Sequence, residues 1–518
     1  MNFRKKLALL LALTMLILPL AVTSCTDNTT DNGPVGDIED TSLSPAFGGE
    51  RLTFDNESFI VLTRQDRTKG QAFNIIDLVA EDNLGDSTIV DAVEKRNSMI
   101  EENFRVKIVR EKTGSSNNAD VANEAASAIE KQDYTYDAFM VPVRSGLTLA
   151  LNGTLVDFSE ADYIDLSSPW WDQAIINNLV LFGGTYIALG DINIVDNDAT
   201  WCVLFNKELL ETFGTTDAQL YAKVKEGIGA QGGWTTEYMT QLAKNSYRAD
   251  ENYKNKWEPT YSGSGTYGIF LQSQISTVLV HASGNTPTIK SDGRAGVVAN
   301  LKTPEFQDAI DATFAFMGNK DSADWYLNID NVDDGSGDKW QTVARGGFMA
   351  NKAAFFMCHC GTIDLIREMK TDFGIIPIPK LTEYQENYGN TIQYENGQCY
   401  VVPYRLDDEL NEKSCYMLEA LAYYSSTEYD ETGCLSYAFY TLCLQAKGTR
   451  DDDAWDMLDL IFDCRVFDLA CALNLSNINS IIQNCTTGSD NNWVSQRDAY
   501  LGNLDNEIAT SLEILAKG

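Results

Sequence analysis

Basic residues and histidine are scarce in this sequence, and the scarcity narrows what it can do. Two histidines occur in 518 residues, and 39 Lys and Arg stand against 75 Asp and Glu, a net charge of −36. Every contact to a nucleic-acid backbone needs a cation, so this excess of acid excludes a nucleic-acid partner and reads as a well-solvated surface. The catalytic signatures are missing as well. There is no G-x-x-x-x-G-K-[ST] phosphate loop, no H-E-x-x-H pair and no nucleophile elbow. No internal repeat is visible, which argues against a repetitive adhesin.

Cysteine is present but not arranged for chemistry. Of 11 cysteines, Cys25 belongs to the leader discussed below, and the even remainder would permit disulfides in an exported protein. A chain this long needs no such staples. Cys464 and Cys471 fall seven apart on one face of an apolar helix, a core position. Cys358, His359 and Cys360 form the tightest cluster, but in a strand the two thiols share one face and the imidazole takes the other. With no C-x-x-C or H-x-x-x-H partner, neither a metal site nor a cofactor is expected. His281, on a segment read as helical, is expected to be structural.

What is present describes an exported globular protein. The length leaves room for two or three domains of about 150 residues, and a 44% hydrophobic content can fill their cores. Arg4, Lys5 and Lys6 precede an apolar run from Leu7 to Val22, too short and too close to a cysteine for a membrane span. Residues 1–24 therefore read as a signal peptide. Val22-Thr23-Ser24-Cys25 has the form of a lipobox, which makes Cys25 the expected lipidation site. Residues 25–55, rich in Asp, Thr, Asn, Gly and Ser, form a flexible tether. Lipid and tether together imply an extracytoplasmic protein anchored to the outer face of a bacterial cytoplasmic membrane.

Beyond the tether the pattern alternates. A strand over Phe54–Thr63 is followed by a helix from Thr88 to Phe104, capped by Asp86 or Ser87 and carrying an Ile89, Ala92, Val93, Met99 and Ile100 stripe. A strand over Arg105–Arg110, a helix over Ala119–Ile129 and a strand over Tyr136–Pro142 follow. This βαβαβ order predicts an α/β lobe with a parallel sheet. Open sheets of this kind bind ligands at the strand ends, here Arg64 and Gln65, and Arg144 and Ser145. Two β-rich runs, Thr185–Leu189 and Trp201–Phe205, flank Asp191 and Asn193 and predict a first crossing into another sheet. Ala353–Cys360, which contains His359, and Gln393–Tyr404, which contains Tyr394, are read as second and third crossings.

Three blocks carry a resemblance. Gly153–Phe158, Trp171–Ile175, Gly183–Leu189 and Val203–Leu210 follow one another as G-x-L-x-D, a Trp-bearing helix, a G-x-x-Y strand and a strand ending in N-K-x-L. Gly346–Lys380 holds NKAAFFMCHCG and then FGIIPIPK, and Lys447–Ala470 is a long helical stretch. In this order they resemble the extracellular solute-binding proteins of ABC importers, family 1, typified by maltodextrin-binding proteins. The resemblance implies a two-lobed periplasmic-binding-protein-like α/β fold of type II, with parallel-sheet lobes joined by a multi-crossing hinge. On that reading lobe 1 is 56–190 plus 361–404 and lobe 2 is 191–360 plus 405–518. It also implies a monomer that captures a carbohydrate-like solute, a sugar or oligosaccharide, and delivers it to an ABC permease, with no catalysis. Gln272 and Gln274 occupy a position resembling one that offers polar groups to the sugar. The expected cleft lining is then Arg64, Gln65, Arg144, Ser145, Asp191, Asn193, Gln272, Gln274, His359 and Tyr394, with Trp171 and Trp201 as either cleft or core. Planar polar groups mixed with aromatics suit sugars. The arginines and the histidine suit equally an acidic sugar, a peptide carboxylate or a phosphate ester. Two alternatives stay open: a surface glycoside hydrolase, which needs only a suitable pair among the 75 acids, and a sensory or adhesive surface lipoprotein.

Overall fold

The computed structural model describes residues 52–79, 84–181, 183–249, 265–290, 297–318, 325–332, 338–449 and 451–515. The signal peptide, Cys25 and nearly all of the tether lie outside the described residues. Two sheets organise the rest. The first is built around Glu57–Thr63, which pairs in parallel with Val106–Lys112 on one side and Ala138–Pro142 on the other. Parallel neighbours need crossovers, and two amphipathic helices, Ser87–Phe104 and Asn118–Glu130, supply them. Each starts at a side-chain cap: Asp86 accepts from the Thr88 amide at 2.9 Å and Asn117 from the Ala119 amide at 3.0 Å. A fourth strand, Gln398–Val401, closes the sheet antiparallel to Phe139–Pro142.

The second sheet runs Phe373–Ile376, Trp201–Asn206, Ala353–His359, Tyr267–Leu271, Tyr326–Asn328 in spatial order. Its first two pairings are antiparallel and its last two parallel. Each sheet has its own hydrophobic core. Phe59, Phe104, Phe139 and Tyr400 belong to one; Trp201, Trp234, Phe270 and Phe355 belong to the other.

Several expectations are corrected here. Ala353–His359 is not a crossing but the middle strand of the second sheet; Ala353 to Cys358 are all buried because both faces are covered. Phe373–Ile376, expected in the first lobe, forms a ladder with Val203–Asn206 of the second sheet. Helix Asp408–Ser425, expected in the second lobe, packs its Tyr416 edge-on against Phe104, 5.2 Å between centroids, in the first core. Thr185–Leu189 forms no ladder among the described residues; Ala188 alone bridges to Tyr400 through two 2.9 Å backbone bonds. Pro142 runs directly into a helix, Val143–Ala150, so Arg144 and Ser145 sit on its first turn.

The connections between the sheets lie side by side. Trp201 donates its amide to Thr391 O at 3.1 Å, and Gln393 donates to Ala199 O at 2.9 Å. Asn390 in turn donates to Cys464 O at 3.0 Å, and Val466 donates back to Asn390 O at 2.6 Å. The buried Asn390 amide adds a bond to Trp201 O at 2.6 Å. The segments near 199–201, 390–393 and 464–466 thus form a three-stranded band, the last of which the sequence does not announce. Among the described residues no helix is long and apolar enough to cross a membrane.

Candidate functional site

Strand ends of both sheets converge on one cleft. A cavity of about 520 Å³ is lined from the first sheet's side by Arg67, Gln71, Phe73 and Ser116, on the loops after Thr63 and Lys112. From the second side come Gln272 and Gln274, just past Leu271, with His359, Trp340 and Arg345. Gln393 of the connecting band and Asn396 just beyond it complete the lining. A second cavity of about 440 Å³ shares Gln272 and Gln274 and adds Arg144, Trp201, His281, Tyr394 and Glu395. Polar groups at the carboxyl ends of strands are the standard consequence of this topology.

The lining is held rigidly. Arg67 donates to Asn396 Oδ1 at 2.9 Å and lies 5.4 Å from the Phe73 ring. Phe73 takes a left-handed backbone, φ 67°, an unusual conformation for a bulky residue that here turns its ring toward His359, 4.4 Å between centroids. Burial, and next the Arg67 charge, push the His359 imidazole down to about 3, so it is neutral at any physiological pH. Trp340 sits on a π-helical turn, Trp340–Arg345, and stacks on Phe356 at 6.3 Å. Arg345 reaches across the cleft to Gly70 O at 2.7 Å. Asp338, on the same lining, is the acidic neighbour of Arg345, whose guanidinium burial lowers below its usual value. Arg67, also lowered by burial, forms no ion pair among the described residues.

The sequence-expected residues divide. Gln272, Gln274, His359, Tyr394 and Arg144 line the two adjoining cavities. Tyr394 accepts from Thr391 Oγ1 at 3.1 Å and from the Asp468 amide at 3.3 Å. Arg144 is spoken for: it pairs with Glu395 and donates to Ala472 O at 2.8 Å and Cys471 O at 3.1 Å. Arg64 is fully buried and props the next loop by donating to Phe73 O, and burial lowers its guanidinium to about 9. Gln65 is exposed and Ser145 half-buried, and neither lines the cleft. Asp191 and Asn193 fall in a separate cavity of about 180 Å³ with Ser436, Tyr440 and Arg465. Burial raises Asp191 to about 7, and Asn193 donates to Gln398 O at 2.9 Å. Trp171 is core, its indole donating to buried Glu419 at 3.0 Å beside that of Trp170 at 3.1 Å. Trp201 is buried but lines the second cavity.

Sequence reasoning misses Arg67, Phe73, Trp340, Arg345 and Asn396. Arg67 lies only four residues past the strand end and is within reach of the strand-end rule. Trp340 and Arg345 carry no local signal, because what makes them site residues is contact with a loop near 270 positions away.

No protein-family model matches the chain, and no curated protein does either. Solved structures do share its fold. The GacH receptor of Streptomyces glaucescens, described unliganded and with acarbose and an acarbose homologue, aligns with TM-score 0.51 and 11% identity over 89% of this chain and 99% of its own. The cyclic α-maltosyl-1,6-maltose binding protein of Arthrobacter globiformis gives 0.52 and 11% over 89% and 99%. The maltose/maltodextrin-binding domain MalE of Bdellovibrio bacteriovorus, bound to maltotriose, gives 0.51 and 13% over 87% and 100%. This chain therefore has the two-lobed α/β fold of type II periplasmic binding proteins.

Proposed function

We propose that this protein is the solute-binding component of an ABC importer, capturing a carbohydrate-like solute in the cleft and handing it to a membrane permease. The observation that carries the reading is the cleft itself: Gln71, Gln272, Gln274, Gln393 and Asn396 present planar amides beside Phe73 and Trp340. Amides donate and accept, as sugar hydroxyls do, and an aromatic edge receives the C–H face of the ring. That the structural neighbours are named for acarbose and maltosaccharides supports the same class. They are binding proteins rather than enzymes, in keeping with a protein that acts by binding alone. The lipobox at Cys25 and the tether supply the anchor that would keep it beside its permease.

One observation favours a narrower ligand. Arg67 faces the cavity with no carboxylate at ion-pair distance among the described residues, and Arg345 lies on the same lining with Asp338 as its acidic neighbour. A guanidinium such as that of Arg67 suits a saccharide bearing a carboxylate. A thermal-shift screen over neutral oligosaccharides, uronate-containing oligosaccharides, peptides and polyamines tests both points. A ligand at 100 times its Kd stabilises by about 2.7 kcal/mol, and the Arg67→Ala variant should lose most of a uronate's shift but little of a neutral sugar's. Stabilisation by peptides or polyamines alone would sink the carbohydrate reading. Turnover of a glycan, abolished by replacing one carboxylate, would establish a hydrolase instead.

A further inference from the structure

Behind the second cavity three side chains from distant parts of the chain come together. His281 lies on the helix Ile275–Ala282, and Asp468 and Cys471 cap and begin the helix Leu469–Leu473, immediately after the connecting band. All three are buried, at 0%, 3% and 0% exposure, and one ligating atom from each lies within 4.8 Å of the others.

The hydrogen bonds fix what each atom offers. His281 Nδ1 is 2.8 Å from Thr277 O. A carbonyl only accepts, so Nδ1 carries the ring hydrogen and Nε2 presents a lone pair. That Nε2 is buried and has no hydrogen-bond partner, an uncommon state for a nitrogen aimed at a carboxylate and a thiol. Asp468 is oriented from behind: it accepts from the Thr288 amide at 2.9 Å, Thr288 Oγ1 at 2.5 Å and the Cys471 amide at 2.8 Å. The carboxylate also holds a hydrogen bond with the Cys471 thiol, and loss of that thiol proton on metal binding frees its lone pair, while the bonds from behind are the outer-shell partners that metal ligands usually have.

We propose that His281 Nε2, an Asp468 carboxylate oxygen and Cys471 Sγ form a binding site for a divalent transition-metal ion of the zinc class. An N, O and S donor set selects a borderline-soft ion over calcium or magnesium, which take oxygen alone. Ligand bonds of about 2.0–2.3 Å to one tetrahedral ion require donors closer together than 4.8 Å, so a small inward shift of the side chains completes the three-point set. On binding, the Sγ–H bond breaks, its electron pair goes to the metal and the proton leaves to solvent. His281 and Tyr394 both line the adjoining cavity, from which a water can complete the fourth position. The ion would tie the His281 helix to the segment that leaves the connecting band. This assignment stands whether or not the cleft binds sugar.

Cobalt(II) is the probe, used on the complete chain after chelation and exchange into metal-free buffer. The expected result is one ion per chain, with the visible bands of a four-coordinate site and a thiolate-to-cobalt band in the near ultraviolet, both displaced by zinc. Cys471→Ser should abolish the thiolate band, and His281→Gln should weaken binding by more than about 10-fold, while Cys358→Ser, in the second sheet, changes neither. The unmodified chain decides even if a variant fails to fold. No thiolate band on it, binding only with the spectrum of octahedral surface carboxylates, or a band that survives Cys471→Ser would each overturn the site.

Discussion

Gly190 shows how one missing Cβ sets the wall behind the first crossing. Its φ is +154°, and a Cβ built there would lie 2.1 Å from Trp170 O and 2.8 Å from Trp171 Cα. The contact is to backbone, and that backbone is held by the two indoles bonded to buried Glu419. Nothing nearby can give way. Gly190→Ala should therefore destabilise by about 3 kcal/mol or more, in the range of overpacking with backbone strain. Gly153 provides the contrast: its φ is +66° but a Cβ added there would meet no atom within 4 Å, so Gly153→Ala should cost only the left-handed penalty of about 1–2 kcal/mol. Urea unfolding of both variants checks the pair. Equal losses would mean that conformation, not the close approach, governs Gly190.

At the scale of elements, the connecting band carries a charge problem that predicts a pH dependence. Arg465, on the third segment, contacts Asp172 at 2.5 Å and lies 3.6 Å from Asp196, which is 1% exposed. One guanidinium is shared by two carboxylates and is nearer to Asp172. Burial therefore wins at Asp196, partly offset by Arg465, and its pKa rises from 3.8 to about 8. Between those values the folded chain holds a proton that the unfolded chain has released. The contribution is full below about 3.8 and is lost as pH rises through about 8. Asp196→Asn keeps the shape and removes the titration. The melting-temperature difference, native minus Asp196→Asn, should fall between about pH 5 and pH 8; a difference independent of pH would show that Asp196 stays ionised.

The same elements show what can be read in advance. The first sheet is legible because its helices carry clear apolar stripes and side-chain caps, so Ser87–Phe104 and Asn118–Glu130 fall within a residue of expectation. Ala353–His359 misleads because a strand covered on both faces has no alternation to show which sheet owns it. The same limit puts Phe373–Ile376 on the wrong side, since its partner is chosen by a ladder with Val203–Asn206. In the site, Gln272, Gln274 and His359 follow from strand ends, whereas Arg64 fails by its direction: its side chain turns inward to Phe73 O. Asp191 and Asn193 lie by the first crossing but face a different cavity.

For the whole molecule the question is what the cleft does when filled. Two cores, each with its own sheet, meet at a band in which segments near 199–201, 390–393 and 464–466 exchange only a few backbone bonds. Rotation about such a band changes a few dihedral angles while leaving both sheets intact, the geometry of hinge closure. Across the cleft Arg345 donates to Gly70 O at 2.7 Å and the Phe73 ring lies 4.4 Å from His359. Behind it Asp86, the cap of the helix Ser87–Phe104, pairs with Lys447 at 2.6 Å and Arg367 at 3.2 Å, and Ile89 and Val93 of that helix pack in the second core. A solute touching both Arg67 and Gln272 shifts the balance between open and closed arrangements by its preference for the closed one. Solution scattering on the purified chain should show a smaller radius of gyration at saturating ligand. Arg345→Ala should enlarge the ligand-free value or leave it unchanged, but should require more ligand to reach the compact state. A radius that does not change when the thermal shift proves the ligand bound would mean that the cleft is preformed, and the proposed delivery to a permease would then need a signal other than closure.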